Sequence, residues 1–238
     1  MKFYDLHVHS EFSEGESSIE EIAERAKILG YSGICFAEYF KNFRKIEELK
    51  KKLNDVSKRV GIEIYLGFEA RNSYELSKLA KKRKEFDILL VRGGELNLNR
   101  KAVETKEVDV LTHPEFGRKD SGLNHVMARL ASENNVAIEI NFREIVSLSK
   151  TSRSLLLKNI QRNIMLCRKY GTPLILSSGA ISHWHLKDPK VLISMACVLG
   201  LEIKEAKNAL SQVPGKIIQI SKGRQDERWI MPGVKVIS

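Results

Sequence analysis

Seven short apolar segments that predict β-strands alternate with segments that predict helices, and this alternation constrains the fold more than any other feature. The strands are predicted at residues 2–8, 31–37, 62–68, 86–91, 108–112, 136–140 and 173–176. The fourth segment is almost wholly apolar, as in a strand that is covered on both faces. Regular alternation implies a parallel sheet with right-handed crossovers. Seven such units in 238 residues predict an α/β protein, a TIM-like β/α barrel of parallel strands with outer helices.

The predicted helices leave no room for a linker between separate domains. A helix capped by Ser17 or Ser18 should end at Gly30, because serine favours helix starts and glycine favours helix ends. Apolar periodicity predicts further helices at residues 42–60, 74–84, 97–104, 122–134, 152–170, 188–199 and 202–212. No glycine-rich phosphate loop follows a strand, which argues against a nucleotide-binding sheet. We therefore expect one barrel domain at residues 1–214 and a C-terminal extension at residues 215–238 whose pattern predicts no clear structure.

The charge of the chain favours a polyanionic partner. The formal net charge is +10, although residues 1–30 hold seven acids and only three bases. Residues 145–187 hold no acid and seven cations. A basic excess of this kind points first to nucleic acid. The alternative is a lysine-rich surface of the kind found in thermophiles.

Cysteine usage and hydropathy indicate a cytoplasmic protein. Cys35, Cys167 and Cys197 are far apart and lie in apolar segments, so we expect reduced core residues. No apolar run approaches the ~20 residues needed to span a bilayer. The acidic N-terminus leads directly into a strand and does not have the layout of a signal peptide. We expect no membrane partner.

The pattern His7-Val8-His9 at the end of the first strand is half of a metal site. Residues two apart in a strand face the same side, so the two imidazoles should lie together. Neutral imidazole is a good ligand for zinc-class ions. Function in β/α barrels lies at the carboxyl ends of the strands, where Glu69 ends the third strand and His113 the fifth.

These residues resemble those of the polymerase-and-histidinol-phosphatase (PHP) barrels, whose members hydrolyse phosphoesters with two or three metal ions. The resemblance implies a PHP-type barrel. The family's Asp-His pair after the second strand is replaced here by Glu38-Tyr39, and its late Ser-Asp-x-His by a segment containing Gly179 and Ile181.

Only four residues match the PHP ligand pattern, namely His7, His9, Glu69 and His113. Two metal ions need about seven or more protein ligands, so these four could hold one divalent ion at most. The interpretation we favour is a degenerate remnant with no catalytic residue. A single bound ion is the alternative.

A second resemblance covers about residues 1–200 and is more specific. The run H-P-x-x-x-R-x-D-S-G-x-x-H-V from His113 to Val126 and the run Ser177-Ser178-Gly179-Ala180 are similar to the archaeal branch of the thirty-kilodalton subunit family of ribonuclease P. The resemblance implies a protein that assists a catalytic RNA in removing the 5′ leader from precursor tRNA. It implies that the RNA and its Mg²⁺ ions do the chemistry, that the chain needs no cofactor of its own, and that it binds a second protein subunit directly.

Cations follow five successive predicted strands, and they are the candidate RNA contacts. Together with two cations on the helix at residues 152–170, the set is Lys41, Arg44, Arg71, Arg92, Arg118, Lys119, Arg143, Lys158 and Arg162. Guanidinium groups match phosphate oxygens in pairs, and phosphate contacts supply affinity without sequence readout. The alternative is that the arginines form ordinary ion pairs with the strand-end acids Glu38, Glu69, Glu95 and Glu139.

Two rival functions follow from the same residues. An autonomous metal-dependent phosphoesterase of the PHP type would use the histidine pair itself. A free-standing RNA-binding protein would use only the cations. Low aromatic content, 7% of residues, argues against recognition of single strands by base stacking.

Overall fold

Seven parallel strands in sequential order form a barrel in the computed structural model, as the alternation predicted. They are β1 (Tyr4–Val8), β2 (Gly33–Tyr39), β3 (Glu63–Ala70), β4 (Ile88–Arg92), β5 (Val110–Thr112), β6 (Ala137–Asn141) and β7 (Leu174–Ser177). The structure describes residues 1–40 and 46–225, together with the backbone of residues 229–231 and 234–235. The predicted contacts Lys41 and Arg44 lie outside the described residues.

The seam between the first and last strands is closed by a few contacts. Val8 forms an isolated bridge with Ala180, and the amide of His9 donates to the carbonyl of Ala180 at 2.8 Å. The buried Asp5 carboxylate accepts from the amide of Ser178 at 3.0 Å. These bonds make the sheet a nearly closed barrel.

Ten α-helices are described in the same part of the chain. They are α1 (Ile19–Ile28), α2 (Ile46–Val60), α3 (Ser73–Lys81), α4 (Leu96–Glu104), α5 (His125–Glu133), α6 (Phe142–Ser147), α7 (Lys150–Tyr170), α8 (Pro189–Val198), α9 (Ile203–Leu210) and α10 (Gln212–Arg224). Ser18 caps α1 in a reciprocal pairing with Glu21, and Gly30 follows the end of α1 with a φ of 85°. The structure thus confirms the predicted caps. Among the described residues, no helix is long and apolar enough to cross a membrane.

Helix α10 was not predicted, and it closes the amino-terminal end of the barrel. Pro214 lies in its first turn, where a missing amide is tolerated. Ile217 and Ile218 are buried in the cluster that fills the barrel interior. The predicted boundary at residue 214 falls inside this helix, so the barrel core includes side chains beyond that boundary. A short antiparallel ribbon follows, formed by β8 (Trp229–Met231) and β9 (Val234–Lys235).

The inward-facing columns of side chains change from apolar to polar towards the carboxyl ends of the strands. The interior cluster includes Cys35 and Ala37 of β2, Tyr65 of β3, and Ile88 and Leu90 of β4. Because residues two apart face the same side, these columns continue into Tyr39, Glu69 and Arg92. By the same alternation, the inward-facing residues near the carboxyl ends are Thr112 on β5, Glu139 and Asn141 on β6, and Ser177 on β7. We call this end of the barrel, with the loops that follow the strands, the mouth.

Candidate functional site

Five buried side chains meet at the floor of the mouth, and we call them the histidine–carboxylate cluster: His7, His9, Glu69, His113 and Glu139. His7 Nε2 lies 3.0 Å from His9 Nε2, and His7 Nδ1 lies 2.6 Å from Glu139 Oε1. Glu69 Oε1 lies 3.6 Å from His7 Nε2 and 3.9 Å from His113 Nε2. The structure therefore brings together all four residues of the predicted remnant and adds Glu139.

The charges in this cluster are set by burial and by one carboxylate. Burial lowers the pKa of His7, but Glu139 outweighs burial and raises that pKa to about 9. Burial and the charge of His7 lower the pKa of His9 to about 2. Burial also lowers the pKa of His113 to about 3. One proton is thus held on His7, while the other two imidazoles are neutral and offer lone pairs.

The donor set fits one divalent ion, which would displace the proton of His7, because a histidine that ligates a metal is neutral. His7, His9 and Glu69 present ligand atoms within 4.8 Å of one another, and so do His7, His113 and Glu139. Within the described residues, both ring nitrogens of His113 and Oε2 of Glu69 are buried without a hydrogen-bond partner. Buried polar atoms without partners are rare in folded proteins. Neutral imidazole and carboxylate together suit a zinc-class ion.

A second ion meets a steric obstacle at the position where the PHP pattern has its late aspartate. Gly179 has a φ of 60°, a conformation that side chains rarely adopt. A Cβ atom at this position would lie 2.4 Å from Oδ1 of Asn141. Tyr39, which replaces a family histidine, directs its hydroxyl to Glu14 and Arg92. A carboxylate ligand at position 179 would have to displace the buried side chain of Asn141 and adopt a strained backbone conformation.

Four arginines predicted from the strand ends line the mouth, and we call them the mouth arginines: Arg71, Arg92, Arg118 and Arg143. Arg71 Nη2 donates to Glu75 at 2.8 Å, and its guanidinium lies 4.5 Å from the centre of the Tyr39 ring. Arg118 forms two bonds with Asp120, at 2.7 and 2.8 Å. In both pairs the acid is a close neighbour in sequence.

Arg92 and Arg143 share a carboxylate from another loop. Arg143 Nη1 lies 2.9 Å from Oε1 of Glu14, and Arg92 Nη1 lies 3.5 Å from Oε2 of Glu14. Arg92 also lies 3.8 Å from Glu69. Glu69 is one of the strand-end acids considered as partners from the sequence, and it lies within ion-pair distance of Arg92. Most of the ion pairs are made by acids outside the strand columns.

Three further predicted cations lie in the loop at residues 113–124 or on α7, which contacts that loop. Lys119 is exposed in this loop, and Lys158 and Arg162 are exposed on α7. The same helix holds the loop in place, since Asn159 donates to the carbonyl of Asp120 at 2.9 Å. Lys158 and Arg162 therefore extend the basic surface from Arg118 along α7.

Sequence reasoning missed Glu14 and did not assign Glu139 to the cluster. Burial raises the pKa of Glu14, but hydrogen bonds from Tyr39 and Arg143 and nearby positive charge lower it to about 2. The sequence did contain a signal for Glu139. It stands two residues before Asn141 at the end of the sixth strand, so both side chains face the barrel interior. For Glu14 the signal was weak, because only its place in the loop after His7 and His9 distinguishes it from its acidic neighbours.

Comparisons with known proteins agree on one family. The sequence profile of RNase P subunit p30 matches residues 2–226. Ribonuclease P protein component 3 of Methanosarcina barkeri is 37% identical over 236 residues, which cover 99% of this chain and 96% of that protein. The corresponding protein of Methanosarcina mazei is 38% identical over 239 residues, with coverage of 99% and 96%.

A solved structure is similar over the same length. A chain in a cryo-EM structure of archaeal ribonuclease P with mature tRNA superimposes with a TM-score of 0.84 and 29% sequence identity. The match covers 99% of this chain and 98% of that chain.

Proposed function

The chain belongs to the family of ribonuclease P subunit p30, and we propose that it acts within ribonuclease P as a protein subunit that binds the catalytic RNA. It also binds a second protein subunit, and the complex removes the 5′ leader from precursor tRNA. The observation that carries this proposal is the full-length family match, joined to a mouth ringed with arginine. The cysteines of the chain are free thiols, of which Cys35 and Cys167 are buried, and this agrees with a cytoplasmic location.

The chain itself does not perform the cleavage in this proposal. A two-metal phosphoesterase needs a symmetric clamp of ligands around two ions, and the packing of Gly179 against Asn141 opposes one of those ligands. The chemistry is left to the RNA and its Mg²⁺ ions. The histidine–carboxylate cluster holds at most one divalent ion, which would act as a Lewis acid when bound. The protein residues around it bind and position RNA.

The cations supply affinity that does not depend on base sequence. Arg118 is fixed by Asp120 and by a 2.9 Å bond to the carbonyl of Gly94, so its guanidinium is held at the rim. A fixed guanidinium loses less conformational entropy when it binds a phosphate. Lys119 lies beside Arg118 in the same loop, and Lys158 and Arg162 are exposed on α7, which holds that loop in place. We call these four cations the basic strip. We assign this strip to the sugar–phosphate backbone.

Reconstitution tests the proposal. The RNA, the other protein subunits and this chain are combined at low Mg²⁺, and cleavage of precursor tRNA is measured with and without the chain. Cleavage should depend on the chain, and Arg118→Ala should weaken RNA affinity roughly three- to tenfold, the loss of one phosphate contact. Arg100→Ala, which removes an exposed cation on α4, is the matched control. Cleavage that proceeds equally well without the chain would refute the proposal.

The rival phosphoesterase function has its own test. The purified chain with Mn²⁺ or Zn²⁺ should not hydrolyse a phosphomonoester faster than a variant with His9→Gln and His113→Gln. Hydrolysis that requires both histidines would favour the rival.

A further inference from the structure

The carboxylate of Glu14 is an anion on which the charged groups of the mouth converge. It lies in the loop between β1 and α1, with Arg143 Nη1 at 2.9 Å and Arg92 Nη1 at 3.5 Å. The Tyr39 hydroxyl donates to it as well. Two guanidinium groups thus face one carboxylate, and Arg92 also lies 3.8 Å from Glu69. Donors from β2, β4 and α6 meet at this one point.

The other two mouth arginines have a different arrangement. Arg71 pairs with Glu75 on the helix that follows it, and Arg118 pairs with Asp120 two residues later. Those contacts form whenever the local segment folds. Arg92 and Arg143, in contrast, come from β4 and α6 and point to a shared position between them. A shared position of two guanidinium groups and a hydroxyl has the donor pattern of an anion site.

The side chain of Glu14 can leave this position without a change in the loop backbone. The loop is anchored, because the amide of Glu16 donates to the carbonyl of Ile181 at 2.6 Å. Gly15 packs so closely that a Cβ atom would lie 2.3 Å from the carbonyl oxygen of His9. The Glu14 side chain is 30% exposed, and those of Arg92 and Arg143 are 23% and 16% exposed. Rotation about the side-chain bonds of Glu14 would therefore uncover donors that solvent already reaches.

We propose that Arg92, Arg143 and the Tyr39 hydroxyl form a phosphate subsite, which Glu14 occupies until a backbone phosphate of ribonuclease P RNA replaces its carboxylate. This inference rests on the proposed function, since RNA must reach the mouth. A phosphodiester offers two non-bridging oxygens in place of the two carboxylate oxygens. Glu14 competes with any single small anion. An RNA that also contacts Arg71 and Arg118 displaces Glu14 because its other contacts hold it at the mouth.

The test compares two glutamates of one loop that differ in their contacts. Glu14→Gln removes the competing charge, and Glu16→Gln removes an equal charge from an exposed neighbour. RNA affinity is measured in the complex with the other protein subunits at one salt concentration. Glu14→Gln should tighten binding roughly three- to tenfold, and Glu16→Gln less than about twofold. Glu14→Asp keeps the charge on a shorter side chain and should give an intermediate gain.

Inorganic phosphate gives a second readout on the full chain alone. Millimolar phosphate should raise the melting temperature of the Glu14→Gln variant. The wild type and a variant that combines Glu14→Gln with Arg143→Ala should show no such rise. Equal effects of Glu14→Gln and Glu16→Gln on RNA affinity would overturn the subsite while leaving the proposed function intact. A wild-type complex whose RNA binding and cleavage do not need this chain would instead overturn the proposed function.

Discussion

Asp109 at the amino-terminal end of the barrel should be among the most costly residues to neutralise. Its carboxylate contacts Arg83, accepts from the Leu89 amide at 2.9 Å, and accepts from Arg224 at 2.8 Å. Asp109 and Arg83 are both nearly fully buried. Asp109→Asn would deprive two guanidinium groups of the carboxylate that they share, and breaking a buried pair in this way costs about 3–5 kcal/mol. For a chain of 238 residues this corresponds to a fall in melting temperature of roughly 10 °C.

Urea unfolding followed by far-UV circular dichroism measures this cost at pH 7. Glu104→Gln is the matched control, since it removes one carboxylate from an exposed pair with Arg100 and should cost less than about 1 kcal/mol. Arg224→Ala removes only the contact from α10 and should cost about 1.5–3 kcal/mol. An Asp109→Asn variant no less stable than Glu104→Gln would refute the argument that this buried charge holds α10 to the barrel.

Two further substitutions test the packing of the mouth. Gly179→Asp should not create a second metal site. Because of the close contact with Asn141 and the φ of 60°, it should instead lower the free energy of unfolding by about 1–3 kcal/mol. An unchanged urea midpoint would contradict this. Burial raises the pKa of Glu115 to about 8, so the folded state keeps a proton that the unfolded state releases above its ordinary pKa of 4.5. Stability should therefore fall as pH rises from about 4.5 to 8. Glu115→Gln stays neutral and keeps an acceptor for Asn163 Nδ2, which lies 3.1 Å from Glu115 Oε2. Unfolding curves should therefore show the variant stabilised by up to about 3 kcal/mol at pH 7 and little changed at pH 4.5.

The strands and the positions of their last residues could be read from the sequence because both follow from local rules. Alternating apolar runs identified all seven strands of the barrel, and the ends of the predicted strands placed Glu69 and Arg92 at its mouth. The four residues of the predicted remnant do lie together. Parallel strands in sequential order leave little freedom in where such residues meet.

Contacts between distant segments could not be read in the same way. Nothing near Glu14 in sequence distinguishes it from the other acids of its loop, since its partners Arg92 and Arg143 come from β4 and α6. The same holds for Gly179, whose need for glycine depends on the side chain of Asn141. Helix α10 was missed because Pro214 and Gly215 predict a break. The helix is stabilised by the burial of Ile217 and Ile218 at the amino-terminal opening of the barrel.

The central claim is that this chain supports RNA catalysis without doing chemistry at its histidine–carboxylate cluster. The direct measurement is the single-turnover rate of precursor tRNA cleavage by the reconstituted complex, with RNA and protein subunits saturating. A variant with His9→Gln and His113→Gln, shown by its melting temperature to be folded, should cleave at the wild-type rate, while omission of the chain at low Mg²⁺ should reduce the rate sharply. If replacing the two histidines reduced the rate as much as omitting the chain does, the result would contradict the account.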